Sequence, residues 1–261
     1  MNDPGGMTTA QARRAFNRYM KEALLPLGFF RFGGNYFKIV PDVALLWVKL
    51  QTVFGTGLRI YFDALPCCIG LGEDGGGFIL NSVANLHDDH WGTRWENELF
   101  KLPMEAQLDR LLLAFDTAAM PLLAGIDSAS TLYAFQDAVR EREYAMTRFW
   151  TACQAGRYDR AARHLEAAIA RGHVLLEDRR RTLDYNEAQL AAATHWRSRK
   201  TWQEIVENSA KHVTEIEEDI ASLEAMQARL TAGDTSEVDA IVRANLQKSA
   251  DYFKRAFEGK E

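Results

Sequence analysis

The sequence predicts an α+β fold, in which an antiparallel β-meander with flanking helices precedes an all-α C-terminal half with a long, coiled-coil-like helical hairpin. Residues 1–125 contain 14 of the 18 glycines and all six prolines, whereas residues 126–261 contain four glycines and no proline. Because these residues mark turns, strands and loops are expected in the first part and helices in the second. This change of composition predicts two domains, 1–125 and 126–261.

The first helix is predicted to begin near Thr8. Thr8 and Gln11 have the spacing of a capping box, in which each side chain bonds the other residue's backbone N–H. Apolar side chains recur at helical spacing as far as Leu24. Pro26 and Gly28 predict the end of this helix.

Four strand-like segments follow, at residues 36–40, 43–53, 58–63 and 78–83. Their connections are too short for parallel neighbours, so they predict an antiparallel meander. The second segment is apolar on both faces where it begins, which predicts a central position in the sheet. The third alternates between apolar and polar positions, which is typical of a half-exposed strand.

Two helices are predicted between the meander and the hairpin. Pro103 is a favourable first helical residue, and its helix is expected to reach about Leu123. Ser128 or Ser130 is expected to cap a second helix that continues to about Ala155.

The long stretch without glycine or proline, residues 173–232, allows two arrangements. A single helix of that length would extend about 90 Å. The favoured alternative is an antiparallel hairpin at about residues 174–231. Thr201 and Glu204 have capping-box spacing, so the turn of the hairpin is expected at residues 198–200.

Apolar residues form a narrow seam along each arm of this hairpin. In the first arm Leu176, Leu183 and Leu190 recur every seven residues, as in a coiled coil. Narrow seams suit a contact between two helices, made within the chain or with a second subunit. A terminal helix, predicted at residues 236–257, is expected to fold back over one seam. The seam of the second arm comprises Ile205, Ser209, Val213, Ile216, Ile220, Leu223, Gln227 and Leu230.

Composition argues against several classes of protein. There are 31 Lys and Arg against 36 Asp and Glu, a net charge of −5, which is not the balance of a chain that binds polyanions. Neither a membrane-spanning apolar run nor a secretory signal is evident. Cys67, Cys68 and Cys153 are expected to be packing residues in a reducing compartment. The sequence therefore predicts a soluble, cytoplasmic protein.

No motif of a catalytic nucleophile is present, and no catalytic residue, metal site or cofactor is assigned. Residues 87–91, His-Asp-Asp-His-Trp, hold two histidines and two carboxylates that could ligate a transition metal. No third ligand follows at a suitable spacing, so a loop or a capped helix start is favoured. The glycines at 75–77 lack the lysine of a phosphate-binding loop and are expected in a hairpin tip.

Two basic clusters lie on the predicted hairpin. One is at residues 179–181 along an arm, and the other comprises Arg197, Arg199 and Lys200 near the tip. Acidic residues surround the first cluster and line the opposite arm, so ion pairing between the helices is favoured over nucleic-acid binding. The basic tip could still contact an acidic partner.

The N-terminal part resembles a known bacterial family. A helix ending in Pro-Leu-Gly-Phe (residues 26–29) precedes Gly-Gly-Asn-Tyr-Phe (33–37), an aromatic strand with Gln51, and Leu-Arg-Ile-Tyr-Phe (58–62). This order is similar to the family catalogued as domain of unknown function 4304, over about residues 10–125. The resemblance implies a small α+β domain without established catalytic residues. Because some members occur among bacterial toxin–immunity systems, it also implies an inhibitory binding role.

Together these observations favour a non-catalytic protein-binding protein, with an immunity protein that inhibits a toxin as the specific hypothesis. One alternative is an enzyme or small-molecule sensor with a pocket between sheet and helices. Another is a scaffold, such as a homodimer, joined through the helical seam. Aromatic and charged side chains supply contact energy and steering at interfaces. The candidate partner-binding residues are Glu73, Asp74, Asp88, Asp89, Trp91 and Trp95.

Overall fold

The α+β prediction is confirmed by a computed structural model, which describes residues 6–53, 57–71, 81–82, 86, 93–139 and 145–258. The described strands are β1 (Phe30–Phe32), β2 (Asn35–Val40), β3 (Ala44–Val53), β4 (Gly57–Pro66) and β5 (Asn81–Ser82). The described helices are α1 (Thr9–Leu24), α2 (Thr93–Leu99), α3 (Met104–Ala114), α4 (Met120–Ala124), α5 (Ala129–Ala138), α6 (Ala145–Gln154), α7 (Tyr158–Ala192), α8 (Trp196–Thr231) and α9 (Ser236–Phe257).

Helix α1 begins and ends where the sequence predicts. The Thr8 backbone N–H donates to Gln11 Oε1 at 2.7 Å, and the Gln11 N–H donates to Thr8 Oγ1 at 3.3 Å, which completes the capping box. A 3-10 turn follows Leu24 and ends at Gly28, whose φ of +84° suits glycine. The buried stripe of α1 consists of Ala12, Phe16, Met20 and Leu24.

The described strands form an antiparallel meander in the order β1-β2-β3-β4-β5. β3 is central, as its two apolar faces predict. The sequence does not predict β1, because three residues are too few for an alternating pattern. Of the strand predicted at 78–83, Asn81 and Ser82 pair with β4, and the other four residues lie outside the described ones.

Helices cover both faces of the sheet. One face, with Leu46 and Phe62, packs against α1, α3 and α5 in the main core. The other face, with Trp47 and Tyr61, packs against α9. The prediction of a half-exposed strand at 58–63 is therefore wrong, and Asp63 is only 1% exposed.

The helix predicted from Pro103 to about Leu123 is present but interrupted. Helices α3 and α4 are joined by a π-helical turn, Phe115–Ala119. Pro121 explains the wider turn, because its ring would clash with the carbonyl four residues earlier in a regular α-helix.

The single helix predicted from Ser128 to about Ala155 is wrong. Ser128 caps α5, and its Oγ accepts a hydrogen bond from the Thr131 N–H at 3.3 Å. However, α5 ends at Ala138 and a separate helix, α6, begins at Ala145. The sequence between them contains neither glycine nor proline, so it carries no strong stop signal.

The hairpin prediction is confirmed, since α7 and α8 pack as an antiparallel pair of 35 and 36 residues. Helix α7 begins at Tyr158 rather than near 174, and Gly172 lies within it. The turn comprises residues 193–195, whereas residues 198–200 are helical. Thr201 is not a cap, because its Oγ1 donates to the Arg197 carbonyl at 3.2 Å inside α8.

Helix α9 has the predicted bounds, 236–257, and Val238 and Val242 in its first half belong to the same apolar cluster as the seam residues Val213, Ile220 and Leu230. It packs mainly on the sheet and on the 3-10 turn Cys67–Ile69 that follows β4. Ser249 Oγ donates to the Cys67 carbonyl and accepts from the Leu71 N–H, both at 2.8 Å. The division into domains at residue 125 stays a prediction. None of the described helices is long and apolar enough to cross a membrane.

Candidate binding surface

The outer part of the hairpin, residues 177–212, has almost no hydrophobic core, and we refer to it as the distal arm. All of its residues are described, and Asn186 is the one buried residue among them. The arm contains the last 16 residues of α7, a length of about 24 Å at 1.5 Å per residue. Since it buries so little, the arm contributes surface rather than core.

A polar contact fixes how the two helices of the arm pair. Asn186 Nδ2 donates to Ser209 Oγ at 3.0 Å across the seam. Nearer the body of the protein, Arg180 pairs with Glu217 at 2.6 Å, so the predicted ion pairing between the helices is present. A single buried asparagine in such a seam specifies register at a cost in stability.

The residues predicted for the seam of α8 all face inward within the chain. None of the eight is exposed, and Val213, Ile220 and Leu230 are buried. The seam is therefore filled by α7 and neighbouring helices. A homodimer through this same seam would require the hairpin to open.

The arm ends in a group of exposed aromatic and basic residues, His195, Trp196, Arg197, Arg199 and Lys200, which we name the hairpin end. Trp196 is 67% exposed. Its ring stacks on His195, with centroids 6.2 Å apart, and the Arg197 guanidinium lies 5.1 Å from its centroid. His195 Nδ1 accepts from the Arg197 N–H at 3.3 Å and caps α8.

The charge of the hairpin end comes from its side chains. Helix α7 ends here and α8 begins here, so the negative end of one helix dipole lies beside the positive end of the other. Arg197, Arg199 and Lys200 remain as three exposed cations. The hairpin end is thus a cationic surface with an exposed indole at its centre.

Five of the six predicted partner-binding residues (Glu73, Asp74, Asp88, Asp89 and Trp91) lie outside the described residues, as do the glycines 75–77 and the histidines 87 and 90. Trp95 lies on α2, half-buried against the main core. Trp95 is therefore the one candidate among the described residues, and its role in partner binding stays a prediction. Within these ranges, no group of three or more His, Cys, Asp or Glu side chains could hold a metal ion.

The three thiols are packing residues, as predicted. Cys67, Cys68 and Cys153 are buried and unbridged. Burial raises the pKa of each from 9.0 to about 12, so all three are protonated at neutral pH. A protonated, buried thiol is a poor nucleophile.

A small cavity of about 180 Å³ lies between the β2–β3 turn and α9. Binding sites for small molecules are commonly about 300–1,000 Å³ and contain several convergent polar groups. Here Asp42 is the one charged side chain in the lining, so the cavity does not resemble an active site. Its lining comprises Ile39, Pro41, Asp42, Cys67, Leu246, Ala250 and Phe253.

Sequence reasoning noted the cations of the hairpin end but did not select Trp196 or His195. The available signal was a tryptophan among basic residues at the predicted tip of a hairpin. Comparison with protein-family models, with curated proteins and with solved structures finds no match.

Proposed function

We propose that the chain is a non-catalytic protein-binding protein that contacts its partner through the hairpin end. The observation that carries this proposal is the exposure of Trp196, at 67%, between His195 and Arg197 at the end of an arm with almost no hydrophobic core. Tryptophan and arginine are the residue types that most often dominate binding energy at protein interfaces.

The partner surface is proposed to be acidic. Three cations stand at the hairpin end, although the chain as a whole carries a net charge of −5. A local positive patch on a negative protein orients an acidic partner toward the patch and accelerates encounter. The pairing of α7 and α8 through Asn186 and Ser209 supports this role, because little conformational entropy is lost when a preorganised arm binds.

A protein partner fits better than a nucleic acid. Three cations release few counterions, whereas stable nucleic-acid binding commonly uses about six or more phosphate contacts. Glu204 and Glu207 follow Lys200 within two turns of α8 and would repel a phosphate backbone that extends along the arm.

For the identity of the partner, we propose a bacterial toxin that this chain inhibits as an immunity protein. This part of the proposal depends on the resemblance of residues 10–125 to the family named above. The six candidates from the sequence, which we call the loop candidates although Trp95 lies on α2, are proposed as a second surface for the same partner: Glu73, Asp74, Asp88, Asp89, Trp91 and Trp95.

Three variants test the proposal in affinity purification from the native host, followed by quantitative mass spectrometry. The first is Trp196→Ala with Arg197→Gln. Its matched control is Tyr185→Ala with Arg181→Gln, which alters an exposed aromatic and an exposed arginine on the side of the arm. The third replaces the six loop candidates by alanine.

We expect only the first variant to lose a partner that co-purifies in stoichiometric amount with the native protein. Its affinity for the isolated partner should be at least about tenfold weaker, which is a loss of about 1.4 kcal/mol in binding free energy. If only the loop variant loses the partner, the binding surface lies at the loop candidates and not at the hairpin end. Retention by all three variants, or release by nuclease, would contradict the proposal. Toxicity of the partner expressed alone, and its relief by this chain, tests the immunity role separately.

A further inference from the structure

A second basic cluster lies where α5, α6 and α7 meet, and it is separate from the hairpin end. Tyr133 of α5 is buried, and its hydroxyl is 2.8 Å from His164 Nε2 of α7. The Arg157 guanidinium, at the start of α7, lies 5.5 Å from the centroid of the Tyr133 ring. Arg148 reaches the same place from α6, and Arg160 lies between Arg157 and His164 in sequence.

The charges of this cluster do not balance. Arg148 lies 3.5 Å from Asp137, its one ion-pair partner among the described residues. Within the same described ranges, Arg157 and Arg160 have no carboxylate within 4 Å. Among the residues that the structure describes, the positive charges of Arg157 and Arg160 are therefore not paired with a carboxylate.

The charges of the cluster act on the pKa values of the two neighbouring groups, His164 and Tyr133. Burial lowers the pKa of His164, and the charge of Arg148 and, more weakly, that of Arg160 lower it further, while Asp137 opposes them. Burial and then the charge of Asp137 raise the pKa of Tyr133, while the charges of Arg160, Arg148 and Arg157 oppose that rise. At least two arginines therefore act on each of these side chains.

The cluster also offers unused hydrogen-bond donors. The Nε of Arg148 is buried and has no hydrogen-bond partner among the described residues. Helix α7 begins at Tyr158 without a side-chain cap, so the positive end of its dipole lies beside Arg157. Arginine groups beside a helix N-terminus form a common arrangement for holding phosphate.

We propose that this cluster binds a phosphate group of a small molecule. Arg157 and Arg160 are exposed at the surface of the cluster, and Tyr133, His164 and Arg148 are more buried. A divalent anion balances the two excess charges, whereas a monovalent carboxylate balances one. The planar arginine fork matches two oxygens of a phosphate at once.

Isothermal titration calorimetry with inorganic pyrophosphate, at constant ionic strength, tests the site. The variant is Arg157→Gln with Arg160→Gln, and the matched control is Arg163→Gln with Arg179→Gln, which removes two exposed arginines elsewhere on α7. We expect the first variant to bind at least about tenfold more weakly than the native protein and the control to bind equally well. Equal weakening by both variants, or no binding to the native protein, would overturn the proposal.

The His164 ring gives an independent readout by NMR. Its charged and titratable neighbours are Tyr133, Arg148, Arg160 and Asp137. Bound pyrophosphate should raise the pKa of His164, because a nearby anion stabilises the imidazolium. The Tyr133→Phe variant keeps the ring and the fold, and should bind several-fold more weakly. An unchanged His164 titration at saturating pyrophosphate would place the anion elsewhere.

Discussion

Glu96 of α2 is 4% exposed, and its carboxylate pairs with Arg59 of β4. Arg59 also lies 5.8 Å from the centroid of Phe100, so the pair joins α2 to the sheet. Removing one partner of a buried pair leaves the other charge unpaired.

We expect Glu96→Ala to lower the free energy of unfolding by about 2 kcal/mol, because Arg59 is 30% exposed and partly solvated, which reduces the usual 3–5 kcal/mol. Urea unfolding measures the change. Glu98→Ala is the control on the same helix, since its pair with Lys101 is exposed, and should stay within about 0.5 kcal/mol. Equal effects of the two variants would show that the Arg59 pair contributes nothing specific.

The buried thiols make stability depend on pH on the alkaline side. Their pKa values rise from 9.0 in the unfolded chain to about 12 in the folded protein, so the folded state keeps protons that the unfolded chain releases. The contribution is intact below pH 9 and is lost as the pH rises from 9 toward 12.

Urea unfolding at pH 8 and pH 10 should therefore show a decline of up to about 1.4 kcal/mol per pH unit and per thiol above pH 9. A variant with Cys67, Cys68 and Cys153 replaced by alanine should show a smaller decline. An equal decline in that variant would assign the effect to other groups, such as Tyr19, whose pKa is raised to about 12 by burial and by Asp116.

Elements whose ends are set locally were predicted well. The capping box at Thr8 fixes the start of α1, and Gly233 precedes α9, whose bounds match. The turn of the hairpin was misplaced, because Thr201 and Glu204 imitate a capping box although the cap is His195. Capping-box spacing thus marks the start of a helix only where the residues before it are not already helical.

Gly172 shows how a packing glycine imitates a helix end. A Cβ at this position would lie 2.9 Å from Ile220 Cγ1 on α8. Glycine is present here because the two helices approach closely, and not because the chain turns. From the sequence of one helix alone, this function cannot be distinguished from a boundary.

We expect Gly172→Ala to destabilise the protein by about 1–2 kcal/mol, although alanine favours the helix by about 1 kcal/mol. The reason is the clash with Ile220, which is 5% exposed and has little room to move. On an Ile220→Ala background the same substitution should stabilise. A double-mutant cycle by urea unfolding measures the coupling, and additive effects would refute the packing explanation.

The candidate surface was only partly predictable from the sequence, because it depends on where the hairpin turns and how the helices pack. Sequence shows the cations of the hairpin end, but the exposure of Trp196 depends on a turn located at 193–195. The phosphate-site residues are spread over three helices, with Tyr133, Arg148 and His164 far apart in sequence. Their convergence depends on helix packing rather than on any short motif.

At the scale of the whole molecule, the last helix completes the fold of the first half. Phe253 and Phe257 of α9 pack against Phe37 and Trp47 on the sheet, more than 200 residues earlier in the chain. This contact explains the failed prediction of a half-exposed strand. Apolar and polar residues do alternate within β4, but α9 covers the face that the polar residues would otherwise expose to solvent.

Deleting α9 tests whether the sheet folds without the helix that covers one of its faces. Burying each of Val238, Val242, Phe253 and Phe257 contributes about 1.5–3 kcal/mol, so α9 supplies at least about 6 kcal/mol, comparable with the total stability of a small protein. We expect a chain ending at 233 to bind a hydrophobic dye and to lose cooperative unfolding. A chain ending at 257 is the control and should unfold like the native protein. If the chain ending at 233 unfolds cooperatively without binding dye, the sheet folds without its α9 cover and the predicted boundary at 125 gains support.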